Sequence, residues 1–92
     1  MITPKTRVVR ATDILVGEVD GELVIMKVNN GCYFNLDRIG ADIWNRLETP
    51  CSLEELCAAL EQAYKADGET IARDVRSFIE KMLANSLLRQ VD

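Results

Sequence analysis

The chain has 92 residues, 48% of them hydrophobic and 28% charged, with a formal net charge of −4 and no histidine. That length and composition fit one folded domain with a thin core over residues 1–92. An acidic balance argues against a phosphate-neutralising surface, hence no nucleic acid partner, and the missing histidine removes the commonest general base and metal ligand.

Met1-Ile2-Thr3-Pro4-Lys5 has no apolar stretch of the kind that opens a signal peptide, and no apolar run approaches the ~18–20 residues that cross a bilayer. The expected location is therefore cytoplasmic, away from the membrane. Residues 1–12 place Lys5, Arg7 and Arg10 around Val8 and Val9, a pattern that suits a frayed arm and a short edge strand equally.

Ile14–Val19 is rich in β-formers and leads into Asp20-Gly21, a dipeptide suited to a two-residue hairpin turn in which both positions take positive φ. Glu22–Val28 follows as a second strand. Asn29-Asn30-Gly31 marks a turn ending in a left-handed glycine, and Cys32–Leu36 is the third strand. Beyond Leu36 the apolar period changes from two to about 3.6. Asp37 is placed to cap a first helix with Ile39, Ile43, Trp44 and Leu47 on one face, stopped by Thr49-Pro50. Trp44 reads as core, and Gly40 as a point of close packing. Ser52-Leu53-Glu54-Glu55 matches a capping box ahead of a second helix with Leu53, Leu56, Cys57, Leu60 and Tyr64 in its stripe. Lys65-Ala66-Asp67-Gly68 reads as a loop. A third helix is expected from about Glu69 to Asn85, then an apolar tail at Leu87-Leu88. Strands followed by helices without alternation give an α+β fold: a three-stranded antiparallel meander, then three helices.

Two features carry functional content. Ile71, Val75, Phe78, Ile79, Met82 and Leu83 spread over roughly 140° of the third helix, against about 100° for a helix lying on one layer. The surplus either contacts both the other helices and the sheet, or lines a groove along one edge of the stripe. The strand Cys32–Leu36 is an edge in a meander and carries no lysine or proline to blunt it, so it can accept a further strand. The alternative is that the N-terminal arm or the Leu87-Leu88 tail covers it. An open edge can also pair with its own copy, which allows a homodimer. Cys32, Cys51 and Cys57 form no disulfide framework and no C-x-x-C pair, so we expect reduced cysteines, no metal and no cofactor.

The string Gly31-Cys32-Tyr33-Phe34-Asn35-Leu36, followed by Gly40-Ala41-Asp42-Ile43-Trp44 and Leu47, resembles the PqqD family. So does Asp74-Val75-Arg76-Ser77-Phe78 with Leu83 and Leu87-Leu88, so that the resemblance covers about residues 14–90. It implies a winged helix-turn-helix-like fold and a stand-alone recognition element for ribosomally made precursor peptides. In such a protein the precursor's leader adds as a strand beside the third strand and packs on the third helix. By position this implies contacts from the strand at Cys32, Tyr33, Phe34, Asn35 and Leu36, and from the helix at Asp74, Val75, Phe78, Ile79 and Met82. The implied partners are the leader peptide and a maturation enzyme: a lasso-peptide leader peptidase, or the radical-SAM enzyme of PQQ maturation. The family commonly has glycine where this chain has Ser86, and Asn85 is the next residue suited to a left-handed helix end.

The competing reading is a winged-helix DNA-binding protein, with Arg73, Arg76 and Lys81 on the third helix. Asp74 and Glu80 stand among those bases, which weakens it. A carrier protein is suggested by Asn85-Ser86-Leu87, but the serine sits at a helix end and the strands do not belong. An enzyme is the poorest fit, because no nucleophile lies beside a recognisable base.

Overall fold

In the computed structural model, which describes residues 2–91, the three strands expected between Ile14 and Leu36 form as one antiparallel sheet. The elements in chain order are β1 (Arg7–Arg10), β2 (Ile14–Val19), β3 (Glu22–Lys27), β4 (Tyr33–Leu36), α1 (Arg38–Arg46), β5 (Cys51–Ser52), α2 (Leu53–Tyr64), α3 (Gly68–Ala84) and β6 (Leu88–Val91). Asp20 and Gly21 have φ of 52° and 82°, the two positive values of a type I′ turn, which pairs Val19 with Glu22. Gly31 closes the second turn at φ 72°. The register sets Leu23 opposite Leu36 and Ile25 opposite Phe34, so these four side chains share the face that packs against the helices.

The helices start where their caps place them. The Asp37 carboxylate accepts the Gly40 N–H at 2.7 Å, and Ser52 and Glu55 form the reciprocal capping box. Asp67 caps α3 through the Thr70 N–H, so α3 begins at Gly68, inside the segment expected as a loop. Ile43, Trp44 and Leu47 are buried as expected, but Ile39 is 48% exposed, because it sits at the rim of the α1 stripe.

A second sheet corrects the reading of both ends. Of the 1–12 segment, Met1 lies outside the described residues. β1 is neither a frayed arm nor an edge: it is the central strand of an antiparallel sheet in the order β5-β1-β6. The Leu87-Leu88 tail begins β6, with Val9 opposite Arg89 and Arg10 opposite Leu88. Val8 and Val9 are both buried, so this strand has no period-two alternation to announce it. Arg10 ties the sheet to α1. Its Nε donates to the Trp44 carbonyl at 2.9 Å, and its guanidinium lies 5.3 Å from the centroid of the Trp44 ring.

The end of α3 is another correction. Asn85 has φ −97°, and the left-handed residue is Ser86 at φ 60°. The Ser86 N–H donates to the Leu83 carbonyl and the Leu87 N–H to the Met82 carbonyl, the paired bonds of a Schellman stop with Ser86 in the position that favours glycine. Ser86→Gly should therefore raise stability by about 0.5–1 kcal/mol, net of the added unfolded-state entropy. An unchanged or lower urea midpoint would contradict this.

Lys27 joins the two halves of the fold. Its Nζ lies 3.0 Å from the Asp13 carboxylate and donates to the Ser86 carbonyl at 2.9 Å. The Lys27 hydrogen bond lowers the Asp13 pKa from its ordinary 3.8. With the folded-state pKa below the unfolded one, the stabilisation is present at neutral pH and lost as pH falls below about 4. The urea-midpoint gap between wild type and Lys27→Met should accordingly narrow from pH 7 to pH 3; a constant gap would mean that the ion pair contributes nothing.

Candidate functional site: the β4 edge and the α3 trough

β4 bonds to β3 on one side and, among the described residues, to no strand on the other. The Lys27 N–H donates to the Cys32 carbonyl at 2.8 Å, which makes this opposed pair a hydrogen-bonded one. By the antiparallel alternation, Phe34 and Leu36 also turn their backbone groups toward β3, while Tyr33 and Asn35 turn theirs to the open edge. Among the described residues neither the N-terminal segment nor the tail covers this edge, since β1 and β6 pair with each other in the other sheet. β2 is the opposite edge of the same sheet, and its residues line neither of the two hollows along α3.

A groove of about 400 Å³ runs between β4 and α3, lined by Tyr33, Phe34, Asn35, Leu36, Asp37, Phe78, Lys81 and Met82. A second hollow of about 480 Å³ continues past α1 toward the α2–α3 loop. Asp37, Phe78 and Lys81 line both, so the two form one trough with its neck at Phe78. Gly40 shapes that neck. A Cβ there would stand 3.2 Å from the Phe78 ring and 3.2 Å from the Asp37 carboxylate, so glycine lets α1 approach α3 closely. The far wall is held by Tyr64, whose hydroxyl donates to Asp42 at 2.6 Å; Arg46 donates to the other oxygen of the same carboxylate at 2.7 Å. The Asp42 hydrogen bond raises the Tyr64 pKa above its ordinary 10.0 and keeps the hydroxyl a donor. Burial raises the Cys51 and Cys57 thiols, which leaves them protonated and poorly nucleophilic.

The structure brings most of the sequence-derived residues together. Tyr33 to Leu36, Phe78 and Met82 line the β4 groove, and Asp74, Val75 and Phe78 line the adjoining hollow. Two stand apart: Cys32 is exposed ahead of β4 and Ile79 is fully buried, and neither lines the trough. The wide apolar stripe of α3 is divided between the core and the trough. Ile71, Val75, Ile79 and Met82 are buried, Leu83 packs on the core, and Phe78 forms the trough edge.

Lining residues outside the expected set include Asp37, Ile39, Tyr64, Thr70, Ser77 and Lys81. Thr70, Asp74, Ser77 and Lys81 follow the i, i+4, i+7, i+11 spacing of a helix face, so they form a polar shoulder beside Phe78. Lys81 makes no ion pair among the described residues, which leaves a cation at the neck.

The family model described as coenzyme PQQ synthesis protein D (PqqD) matches residues 22–88. The chain belongs to the PqqD family. No curated protein matches it. One solved structure, described as TbiB1 in complex with the TbiA(beta) leader peptide, superimposes with a TM-score of 0.80 at 30% identity, covering 91% of this chain and 98% of that one. A second, described as lasso peptide synthetase B1 complexed with the leader peptide, gives a TM-score of 0.78 at 21% identity over 89% and 96%, and shares the fold. The PqqD match runs from Glu22 to Leu88, so it takes in the β4 edge, the trough and the Ser86 helix stop, and leaves β1 and β2 outside.

Proposed function

We propose that this PqqD-family chain binds the leader segment of a ribosomally made precursor peptide by strand addition at β4 and presents the rest of the precursor to a maturation enzyme. The observation that carries this reading is the pairing of an unpartnered strand edge with a trough running beside it, walled by Phe34, Leu36, Phe78 and Met82. An added strand would take main-chain hydrogen bonds from Tyr33 and Asn35. Its alternate side chains would enter the trough against Phe34, Leu36, Phe78 and Met82. A solved structure with the same fold at 30% identity is described as a leader-peptide complex, which supports the choice of ligand.

No chemistry is assigned to this chain. By holding the leader it raises the effective concentration of the attached core at the enzyme. That enzyme is a lasso-type leader peptidase or a PQQ-type radical-SAM protein, and the genes beside this one distinguish them. Calorimetry with a synthetic leader from the neighbouring precursor gene tests the reading directly. Micromolar or tighter binding is expected; no heat of binding at any accessible concentration would refute it.

A further inference from the structure

The β2–β3–β4 sheet has a second face, turned away from the helices, and it carries an apolar band beside Glu22 and Asn35. Leu15, Met26 and Tyr33 stand in one cross-strand row, because Leu15 pairs with Met26 and Met26 with Tyr33. Val24 and Val19 lie on the same face by the period-two rule. Leu15 is 57%, Val19 59% and Tyr33 69% exposed. A solvent-facing sheet surface normally alternates to polar residues, so an exposed apolar band of this kind points to a partner.

Charge selects among the occupants. There is no lysine or arginine between Arg10 and Lys27, and Lys27 is tied to Asp13 and the Ser86 carbonyl. Glu18, Asp20 and Glu22 cluster at the β2–β3 hairpin end of the sheet. A second copy would bring the same acidic end and the same net charge of −4, and an anionic membrane surface would be repelled. The complement of this face is an apolar patch fringed by lysine or arginine.

Position names the partner. A strand added at β4 sends every second side chain onto this outer face, beside Tyr33 and Asn35. A protein seated there would therefore touch sheet and peptide together. We propose that the outer face of the β2–β3–β4 sheet docks the protein that processes the held peptide, and that it binds the peptide-loaded chain in preference to the empty one. This rests on the strand-addition reading above.

The test measures two affinities on the full chain: for the synthetic leader, and for the purified processing protein encoded beside it, with and without leader. The variant Leu15→Lys/Val19→Lys changes two exposed residues two strands away from β4. It should keep leader affinity within about twofold, while affinity for the processing protein falls about tenfold or more. Asp20→Asn/Glu22→Gln should flatten the salt dependence of that second affinity. Undiminished binding of the processing protein to the lysine variant overturns the proposal. So does a wild-type dimer in sedimentation that the variant dissolves, since a second copy would then own this face. Loss of leader affinity in wild type overturns the strand-addition reading instead.

Discussion

Asn35→Pro should abolish most peptide capture while leaving the fold intact. The Asn35 N–H faces the open edge, so proline there removes no bond of the β3–β4 ladder, and edge strands tolerate proline on that side. What disappears is a donor to the incoming strand, worth about 0.5–1.5 kcal/mol, and the proline ring adds a clash with the strand itself. Leader affinity should fall about tenfold or more, with a thermal midpoint within a few degrees of wild type. Phe34→Pro, one residue away, should behave in the opposite way. It deletes a bond to Ile25 and a half-buried ring, so it destabilises the fold by about 1–3 kcal/mol or more whatever the peptide does. Equal leader affinity for wild type and Asn35→Pro would place the peptide elsewhere.

Trp44→Ala should produce the largest loss of stability of any single truncation. Trp44 is 1% exposed and is the largest of the fully buried side chains. Truncation leaves a cavity and removes the ring beneath the Arg10 guanidinium, at a cost of about 3–5 kcal/mol. A chain this long holds roughly 5–14 kcal/mol in total, so the variant sits close to unfolding at 25 °C. Trp44→Phe is the instructive comparison. Among the described residues the buried Trp44 Nε1–H has no partner, so phenylalanine relieves an unpaired donor while losing volume; the net cost should be only about 1–2 kcal/mol. Urea unfolding of the two variants checks both values, and similar losses for both would mean that the indole N–H is not the burden it appears geometrically.

The parts of this fold legible in the sequence are those written locally. Asp20-Gly21 names its turn because two consecutive positive φ values have few takers, and Ser52 with Glu55 names its helix start because the cap needs only residues three apart. The β5-β1-β6 sheet was not legible. Its strands are two to four residues long, come from distant parts of the chain, and bury Val8 and Val9 on both faces. Ser86 was hidden for a different reason: a serine in a left-handed stop is held there by the Schellman bonds and the Lys27 contact, not by its own preference.

The site divides in the same way. The β4 edge and the over-wide stripe of α3 were visible as an unblunted strand and a surplus of apolar arc. The resemblance implies a contact at Ile79 by position, and packing against the other elements takes that side chain fully into the core. The polar shoulder at Thr70, Ser77 and Lys81 escaped because a stripe argument counts apolar residues, whereas a groove is defined as much by what flanks them. The second hollow depends on how closely α1 approaches α3 at Gly40, a distance that no local pattern encodes.

Amide hydrogen exchange followed by NMR, with and without the leader peptide, tests the central claim most directly. In the free chain the Phe34 and Leu36 amides are already bonded to β3, and those of Tyr33 and Asn35 are open. On binding, the Tyr33 and Asn35 amides should become strongly protected, with shift changes along Thr70, Asp74, Phe78 and Lys81. Protection that leaves Tyr33 and Asn35 unchanged and instead appears along β2, or on α2 away from the trough, would contradict strand addition at β4.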